Sequence, residues 1–522
     1  MGSQEDRPMA LGRWLDRWGT YAPNKTALVD AHTGRRWSYE ALAFRVRKLA
    51  GALAARWGVG PGDRVAVLAH NTPETLELLF ACARLGAILV PVNFRLASAE
   101  VAYVLGDAEP RVLFYGPECR ELAWQALALQ PGAQPIPFVA DREEEAYSDV
   151  LASGTEISGR EVGADDPLLI LYTSGTTGRP KGAVLTHGTV TWNAVNTQVG
   201  WDLRHDDITL THTPFFHTGG LNVLTTPLFH IGGTVVMQRS FDAAEALALV
   251  ARERCTVLFA VPTMFQMMAE APGFTEADLS SVRFFITGGA PCPVPLIHLY
   301  DTRGIVFKQG YGLTEAGPNC FTLDARDAVR KAGTVGFPNM HVEIRVVDEE
   351  GRDVPRGDVG ELLIRGPHVF PGYWRNEQAT QAALRDGWLH TGDLVCQDDE
   401  GYMRIVDRKK DMYISGGENV YPAEVERVLL QHPAVREVAV IGVPDAKWGE
   451  VGRAFVALEA GMKVSATELD AWLSGQLARY KVPRSYAFPT ALPRTATGKV
   501  HKPGLSGLDL ECHVADRPRT RA

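Results

Sequence analysis

The sequence predicts an α/β fold built mainly on parallel sheets, with a small barrel-like β region and a final small α+β domain. Three observations carry this. Short apolar runs of strand length alternate with segments of helical spacing through the first half of the chain. From about residue 340 the pattern changes to alternating strands joined by polar turns. The charged run Asp407-Arg408-Lys409-Lys410-Asp411 then opens a new series of helices and strands.

The elements follow in order. Ser38 is placed to cap a helix over Tyr39–Trp57, and the Gly-rich segment 58–63 breaks it. Residues 65–68 form a short buried strand, 74–85 the next helix and 87–92 another strand. The rhythm resumes after Pro167 with a strand at 168–171 and a helix from about His187. Further strands fall at Thr234–Met237, Val257–Ala260 and Phe284–Thr287. Residues 341–347 and Val359–Arg365 alternate as antiparallel strands should. After the charged run come a helix at 423–430, strands at 435–443 and 454–458, and a helix near 467–480, ending in a loose tail. The domain boundary is expected in the charged run, giving domains 1–407 and 408–522.

Composition narrows the function. With 522 residues the chain is too long for one core. Lys plus Arg is 53 against 62 Asp plus Glu, a net charge of −9, which disfavours a nucleic-acid binder. Seven scattered Cys, an odd number without C-x-x-C, indicate free thiols rather than a disulfide framework or a zinc site. The N-terminus carries acids where a signal peptide has its apolar core, and Arg84 and Pro91 interrupt the most apolar stretch. A soluble cytoplasmic protein without a transmembrane segment is expected. Glycine is in excess at 51, marking loops where backbone approaches something closely.

The sharpest local signal is the loop from Tyr172 to Gly182, with Thr173, Ser174, Gly175, Thr176, Thr177, Gly178 and Lys181. Glycines let backbone N–H groups face an anion, hydroxyls donate further bonds, and a lysine adds charge. It is not a Walker A loop, because Gly182 follows Lys181 where Ser or Thr should hold magnesium.

This stretch resembles the phosphate-binding signature of adenylate-forming enzymes, which include acyl-CoA synthetases, adenylation domains of peptide synthetases and luciferases. Further signatures occur in order. They are Phe215-Phe216-His217-Thr218-Gly219-Gly220, Gly288-Gly289-Ala290-Pro291 and Gln309-Gly310-Tyr311-Gly312-Leu313-Thr314-Glu315. Then come His390-Thr391-Gly392-Asp393, the charged run, Ser415-Gly416-Gly417-Glu418-Asn419 and the segment from Pro493 to Lys499. The resemblance spans about residues 20 to 503 and is to the acyl-CoA synthetase branch.

The resemblance implies ATP and Mg²⁺ as cofactors and coenzyme A as co-substrate. A carboxylate attacks the α-phosphate of ATP, pyrophosphate leaves, and a thiol takes the acyl group. The 173–181 loop would hold the β- and γ-phosphates. Tyr311 would pack on adenine with Gly289, Ala290 and Pro291 opposite and Gln309, Gly310 and Gly312 around it. Thr314 would donate to the α-phosphate and Glu315 would ligate Mg²⁺. Asp393 would accept the ribose hydroxyls with help from Arg408. Lys499 would be the catalytic ammonium at the attacking carboxylate and α-phosphate. Lys410 would be the hinge of a rotating small domain, and Gly416 and Gly417 would pass pantetheine. His217 would line and gate the acyl pocket. Taken alone, Tyr311 suits a core aromatic and Lys409-Lys410 a solvated charge run.

His217 offers no carboxylate for a substrate ammonium, so an amino acid is disfavoured. The expected substrate is an apolar carboxylic acid, a medium- or long-chain fatty acid, with aryl or cyclic acids such as a benzoate, a cinnamate or succinylbenzoate as the alternative. That reading implies a part in fatty acid metabolism. A separate carrier protein is the other acceptor to weigh. A catalytically silent nucleotide-binding module is disfavoured by intact Lys499, Glu315 and Asp393. Oligomeric state stays open, with a symmetric homodimer as one option.

Overall fold

The structure, a computed structural model, describes residues 10–140, 145–173, 180–290, 292–415, 418–446, 448–495, 499–508 and 510–514. The fold class is as the sequence predicts. The chain divides into two compact units: Met1–Cys292, Leu296–Ile344 and Ile364–Leu389 form the first, and Pro293–Pro295, Arg345–Leu363 and His390–Ala522 the second.

The first unit holds two seven-stranded sheets. One runs Phe307–Gln309, Phe284–Thr287, Val257–Ala260, Ile208–Thr211, Thr234–Met237, Thr26–Asp30, Arg36–Ser38. All its pairs are parallel except the last. The other runs Gly372–Tyr373, Lys181–Thr186, Pro167–Thr173, Ile88–Pro91, Arg64–Leu68, Val112–Tyr115, Gln134–Pro137. It is parallel from Pro167–Thr173 onward and antiparallel across its first two pairs. The strands read as continuous apolar runs because helices cover such sheets. Leu258, Phe285 and Phe307 join Phe265 and Tyr300 in one buried aromatic core.

Local chemistry places the helices. Ser38 accepts from the Ala41 N–H and starts Tyr39–Trp57, which Gly58 ends at φ +62°. Thr72 caps Pro73–Leu85 in the same way. A five-stranded sheet, ordered Glu343–Val347, Val359–Arg365, Trp388–Gln397, Leu384–Arg385 with Met403–Arg408 also on Trp388–Gln397, is the small β region expected from the polar turns.

The second unit carries a six-stranded sheet, with the long antiparallel pair Val435–Asp445 and Gly449–Leu458 at its heart. Helices Pro422–Leu429 and Ala466–Ser474 bury Val425, Leu429, Leu469 and Leu473 in its core.

Two sequence expectations are corrected and one unassigned stretch is filled. The helix after the glycine loop begins at His187, as expected. A strand, Lys181–Thr186, intervenes because Gly182 sits in an alternating pattern that pairs back on Pro167–Thr173. The helix placed near 467–480 stops at Ser474, where Gly475, a poor helix former, follows. The tail is not wholly loose: His513–Val514 pairs with Ser485–Ala487. The thiols are free, and Cys82, Cys119, Cys255, Cys320 and Cys396 are buried. No described helix is long and apolar enough to cross a membrane.

Candidate active site

Strands Pro167–Thr173 and Lys181–Thr186, on either side of the glycine-rich segment, pair antiparallel and put Thr173 opposite Lys181, and the Thr173 hydroxyl donates to the Lys181 carbonyl at 3.4 Å. Ser174, Gly175, Thr176, Thr177 and Gly178 lie outside the described residues.

Lys181 Nζ lies 5.4 Å from the centre of the Tyr373 ring, a cation over an aromatic face. Tyr373 reaches this place because Gly372–Tyr373 pairs with Lys181–Thr186. Its hydroxyl donates to Glu315 Oε1 at 2.8 Å. Burial, then the Glu315 carboxylate, hold the Tyr373 phenol well above its ordinary range, so it remains a donor. Glu315 sits in the one-turn helix Thr314–Ala316, whose Thr314 is buried, and its backbone carbonyl accepts from the Phe370 N–H at 2.9 Å. One sheet edge therefore gathers Lys181, Tyr373 and Glu315.

These residues bear on the metal. Among the described residues no group of three His, Cys, Asp or Glu could hold a cation, so they form no dedicated cage. Mg²⁺ keeps several waters and is held through one or two carboxylates plus substrate phosphates. A single carboxylate near a lysine fits Mg²⁺ carried on a polyphosphate.

Strands Phe284–Thr287 and Phe307–Gln309 are neighbours and end side by side. Ligands in open α/β sheets bind outside such carboxyl ends. The glycines beyond them are required by close contact. A Cβ on Gly288 would lie 3.1 Å from the Gly310 carbonyl oxygen, one on Gly310 2.8 Å from the Trp201 indole, and one on Gly312 2.3 Å from the Pro318 carbonyl. Gly289 takes φ +77°, and Ala290 beside it is exposed. Pro291 is outside the described residues. Tyr311 is buried edge-on against Phe321, with ring centres 5.7 Å apart. Gln309 Oε1 accepts the Gly333 N–H at 2.6 Å.

His217 starts the short helix Thr218–Asn222, and its Nδ1 accepts the Gly219 N–H at 3.0 Å.

In the second unit, Asp393 and Arg408 are direct cross-strand partners, with Nε 3.2 Å from Oδ1. The register brings together two residues assigned to one ribose. Lys409 pairs with Glu361 at 3.1 Å, while Lys410 is exposed in a turn. Lys499 lies on a hairpin closed by the Thr495 N–H to the Lys499 carbonyl at 2.7 Å and the His501 N–H to the Pro493 carbonyl at 2.7 Å. Arg494 pairs with Glu437 at 2.8 Å and Lys502 with Glu426 at 2.8 Å on either side of it. Gly416 and Gly417 are outside the described residues.

Sequence reasoning missed Tyr373, Trp201 and Lys502. No local motif marks them; each matters through a partner distant in the chain.

The topology and motif order are those of the adenylate-forming enzymes. The family described as AMP-binding enzyme matches residues 15–374, and the AMP-binding enzyme C-terminal domain matches 424–499. The chain is 45% identical over 496 residues to the feruloyl-CoA synthase of an Amycolatopsis species, covering 95% of this chain and 98% of that one. It is 44% identical over 506 residues to the indoleacetate–CoA ligase of Aromatoleum aromaticum, covering 96% and 98%. It is 40% identical over 494 residues to the long-chain-fatty-acid–CoA ligase FadD13 of Mycobacterium tuberculosis, covering 94% and 97%. The crystal structure of ATP-bound MatB from Rhodopseudomonas palustris is similar at TM-score 0.88 and 35% identity, covering 95% and 98%. The chain belongs to the AMP-binding enzyme family. Within it, the protein is an AMP-forming acid–CoA ligase of the acyl-CoA synthetase branch, a class that uses ATP, Mg²⁺ and coenzyme A.

Proposed function

We propose that the substrate is an aryl carboxylic acid, activated with ATP to an acyl-adenylate and passed to coenzyme A with release of pyrophosphate and AMP. The similarity to the feruloyl and indoleacetate ligases, each spanning nearly the whole chain, carries this reading. A medium- or long-chain fatty acid, the substrate the sequence favours, is the second reading, supported by the similarity to FadD13.

The chemical difficulty is an anion approaching a polyanion, so positioning and charge stabilisation do most of the catalysis. In this reading Lys181 and the hydroxyls of its loop take the β- and γ-phosphates as pyrophosphate leaves. Thr314 donates to the α-phosphate. Glu315, oriented by the Tyr373 hydroxyl, would hold Mg²⁺, which neutralises phosphate charge. Tyr311 packs on adenine. Asp393, steadied by Arg408, accepts the ribose hydroxyls. His217 lines the acid. Lys499 stabilises the charge that develops between carboxylate and α-phosphate. We further propose that the chain works as two domains, 1–407 and 408–522, hinged at Lys410. Lys499 then serves adenylation only, and the Gly416–Gly417 segment serves thioester formation.

A panel of C4 to C18 fatty acids and aryl acids, assayed for AMP release and acyl-CoA formation, tests the substrate. Aryl acids as the best substrates support the reading, and preference for fatty acids overturns it. Thioester formed only with a separate carrier protein would overturn coenzyme A as acceptor. Lys499→Ala should abolish adenylate formation yet largely spare thioester formation from supplied acyl-adenylate. Equal loss in both half-reactions would refute the division of labour.

A further inference from the structure

Strand Ile208–Thr211 sets Thr209 and Thr211 on one face, and Thr213 follows two residues beyond its end. A small cavity of about 10 Å³ lies against all three threonines, lined also by Gly219, Gly220, Leu224 and Phe259.

The middle threonine is spent. Thr211 Oγ1 lies 2.9 Å from Thr225 Oγ1, and the Thr225 hydroxyl donates to the Gly220 carbonyl at 2.6 Å. The outer two are not. The Thr209 and Thr213 hydroxyls are buried, with the residues 1% and 7% exposed, and neither has a hydrogen-bond partner among the described residues. Buried hydroxyls are normally satisfied. Valine has almost the same shape and would suit a cavity built only for hydrocarbon.

The cavity adjoins the segment expected to line the acid. A Cβ on Gly219 would lie 3.0 Å from His217 Nδ1 and 3.1 Å from the Phe259 ring. A Cβ on Gly220 would lie 2.4 Å from the carbonyl oxygens of Thr213 and Pro214. These two glycines let the turn after His217 press onto the threonine strand. At about 10 Å³ the space is far below the roughly 300–1,000 Å³ that encloses a whole ligand and is about what one water fills. It suits a single hydroxyl or N–H group at the tip of a ligand.

We propose that this cavity is a polar end to the acid-binding pocket, where Thr209 and Thr213 recognise a hydrogen-bonding group, a hydroxyl or N–H, on the ring of an aryl acid. The proposal rests on the aryl-acid reading above. A threonine hydroxyl both donates and accepts, so it serves a phenol and an indole N–H alike. A site built to hydrogen-bond a substrate group discriminates against the analogue that lacks it far better than an apolar wall separates homologous chains.

The test compares kcat/KM for 4-hydroxycinnamate against cinnamate, 3-hydroxycinnamate against cinnamate, and indoleacetate against 1-naphthylacetate. The enzyme is the full chain, with Thr209→Val and Thr213→Val beside the unaltered protein. The unaltered enzyme should prefer the polar member of at least one pair by about tenfold or more. In one or both variants that ratio should fall at least about threefold. The ratio is internal to each variant, so a loss of folded enzyme does not move it. Aryl acids turned over with no polar preference, or a preference that both variants keep, overturns the polar end and leaves the aryl reading standing. Turnover of fatty acids alone overturns both.

Discussion

Lys502 Nζ sits 2.8 Å from Glu426 Oε1, with both side chains largely buried. The same Glu426 oxygen accepts the Val440 N–H at 2.8 Å. Burial opposes the charge on Lys502, but Glu426 and then Asp407 outweigh it and raise the ammonium above its ordinary range. Asp407 in turn accepts the Ala423 and Arg408 N–H groups at 2.8 and 2.7 Å. One ammonium thus ties the segment after Lys499 to helix Pro422–Leu429 and to the strand leading to Lys410.

Removing one partner of a buried pair costs about 3–5 kcal/mol because the other charge is stranded. Part of that cost here should appear as lost placement of Lys499. Lys502→Met should lower pyrophosphate release by about tenfold or more, a barrier increase of about 1.4 kcal/mol or more. Thioester formation from supplied acyl-adenylate should change far less, and Lys502→Arg should restore most of the loss. Parallel loss of both half-reactions would show a purely structural role.

The Tyr373–Glu315 hydrogen bond ranks two further substitutions. Glu315→Gln removes the carboxylate expected on Mg²⁺, so pyrophosphate release should fall by about a hundredfold and the Mg²⁺ concentration for half-maximal rate should rise. Tyr373→Phe leaves the carboxylate and removes one orienting bond, worth about 1 kcal/mol, so the loss should be about fivefold. A Mg²⁺ titration of both variants checks the order. A larger effect for Tyr373→Phe would contradict the role given to Glu315.

The main α/β rhythm was legible because parallel strands are buried on both faces and appear as uniform apolar runs. Thr234–Met237, Val257–Ala260 and Phe284–Thr287 have the limits their composition predicts. Lys181–Thr186 escaped because its first two residues also complete the glycine loop, and local chemistry cannot say where loop yields to ladder. The motif residues were legible as a set, but their supports were not. Trp201 lies under Gly310 and Tyr373 bonds Glu315 through contacts that close only when the sheets form. Lys502 looks like any surface lysine until Glu426 is brought to it.

Gly312 shows how little freedom this region has. A Cβ there would meet backbone, the Pro318 carbonyl at 2.3 Å, and backbone cannot swing aside as a side chain can. Gly312→Ala must displace the segment holding Tyr311 and Thr314. The expected outcome is a loss of ATP affinity by about tenfold or more, with melting lowered by a few degrees, as overpacking costs about 1–3 kcal/mol. Nucleotide titration by calorimetry, together with a thermal scan, measures both. Unchanged ATP affinity would show that this segment does not shape the nucleotide site.

Stability should fall on mild acidification for an identifiable reason. Burial pushes the imidazoles of His187, His212, His230 and His368 down to about 4. Unfolded, each titrates near 6.5. Between those values the unfolded chain binds protons that the folded chain refuses. Stability is therefore fully present above about pH 6.5 and is lost as pH falls toward 4, by roughly 1 kcal/mol per pH unit for each histidine. His212 isolates one share. Neither of its ring nitrogens has a hydrogen-bond partner among the described residues, and its ring packs 5.0 Å from Phe241. His212→Phe keeps an aromatic ring there and removes the proton site. Any packing cost it adds is the same at every pH. Thermal scans from pH 7.5 to 4.5 should give a shallower decline for His212→Phe than for the unaltered protein, and parallel curves would mean that His212 does not take part in the acid transition.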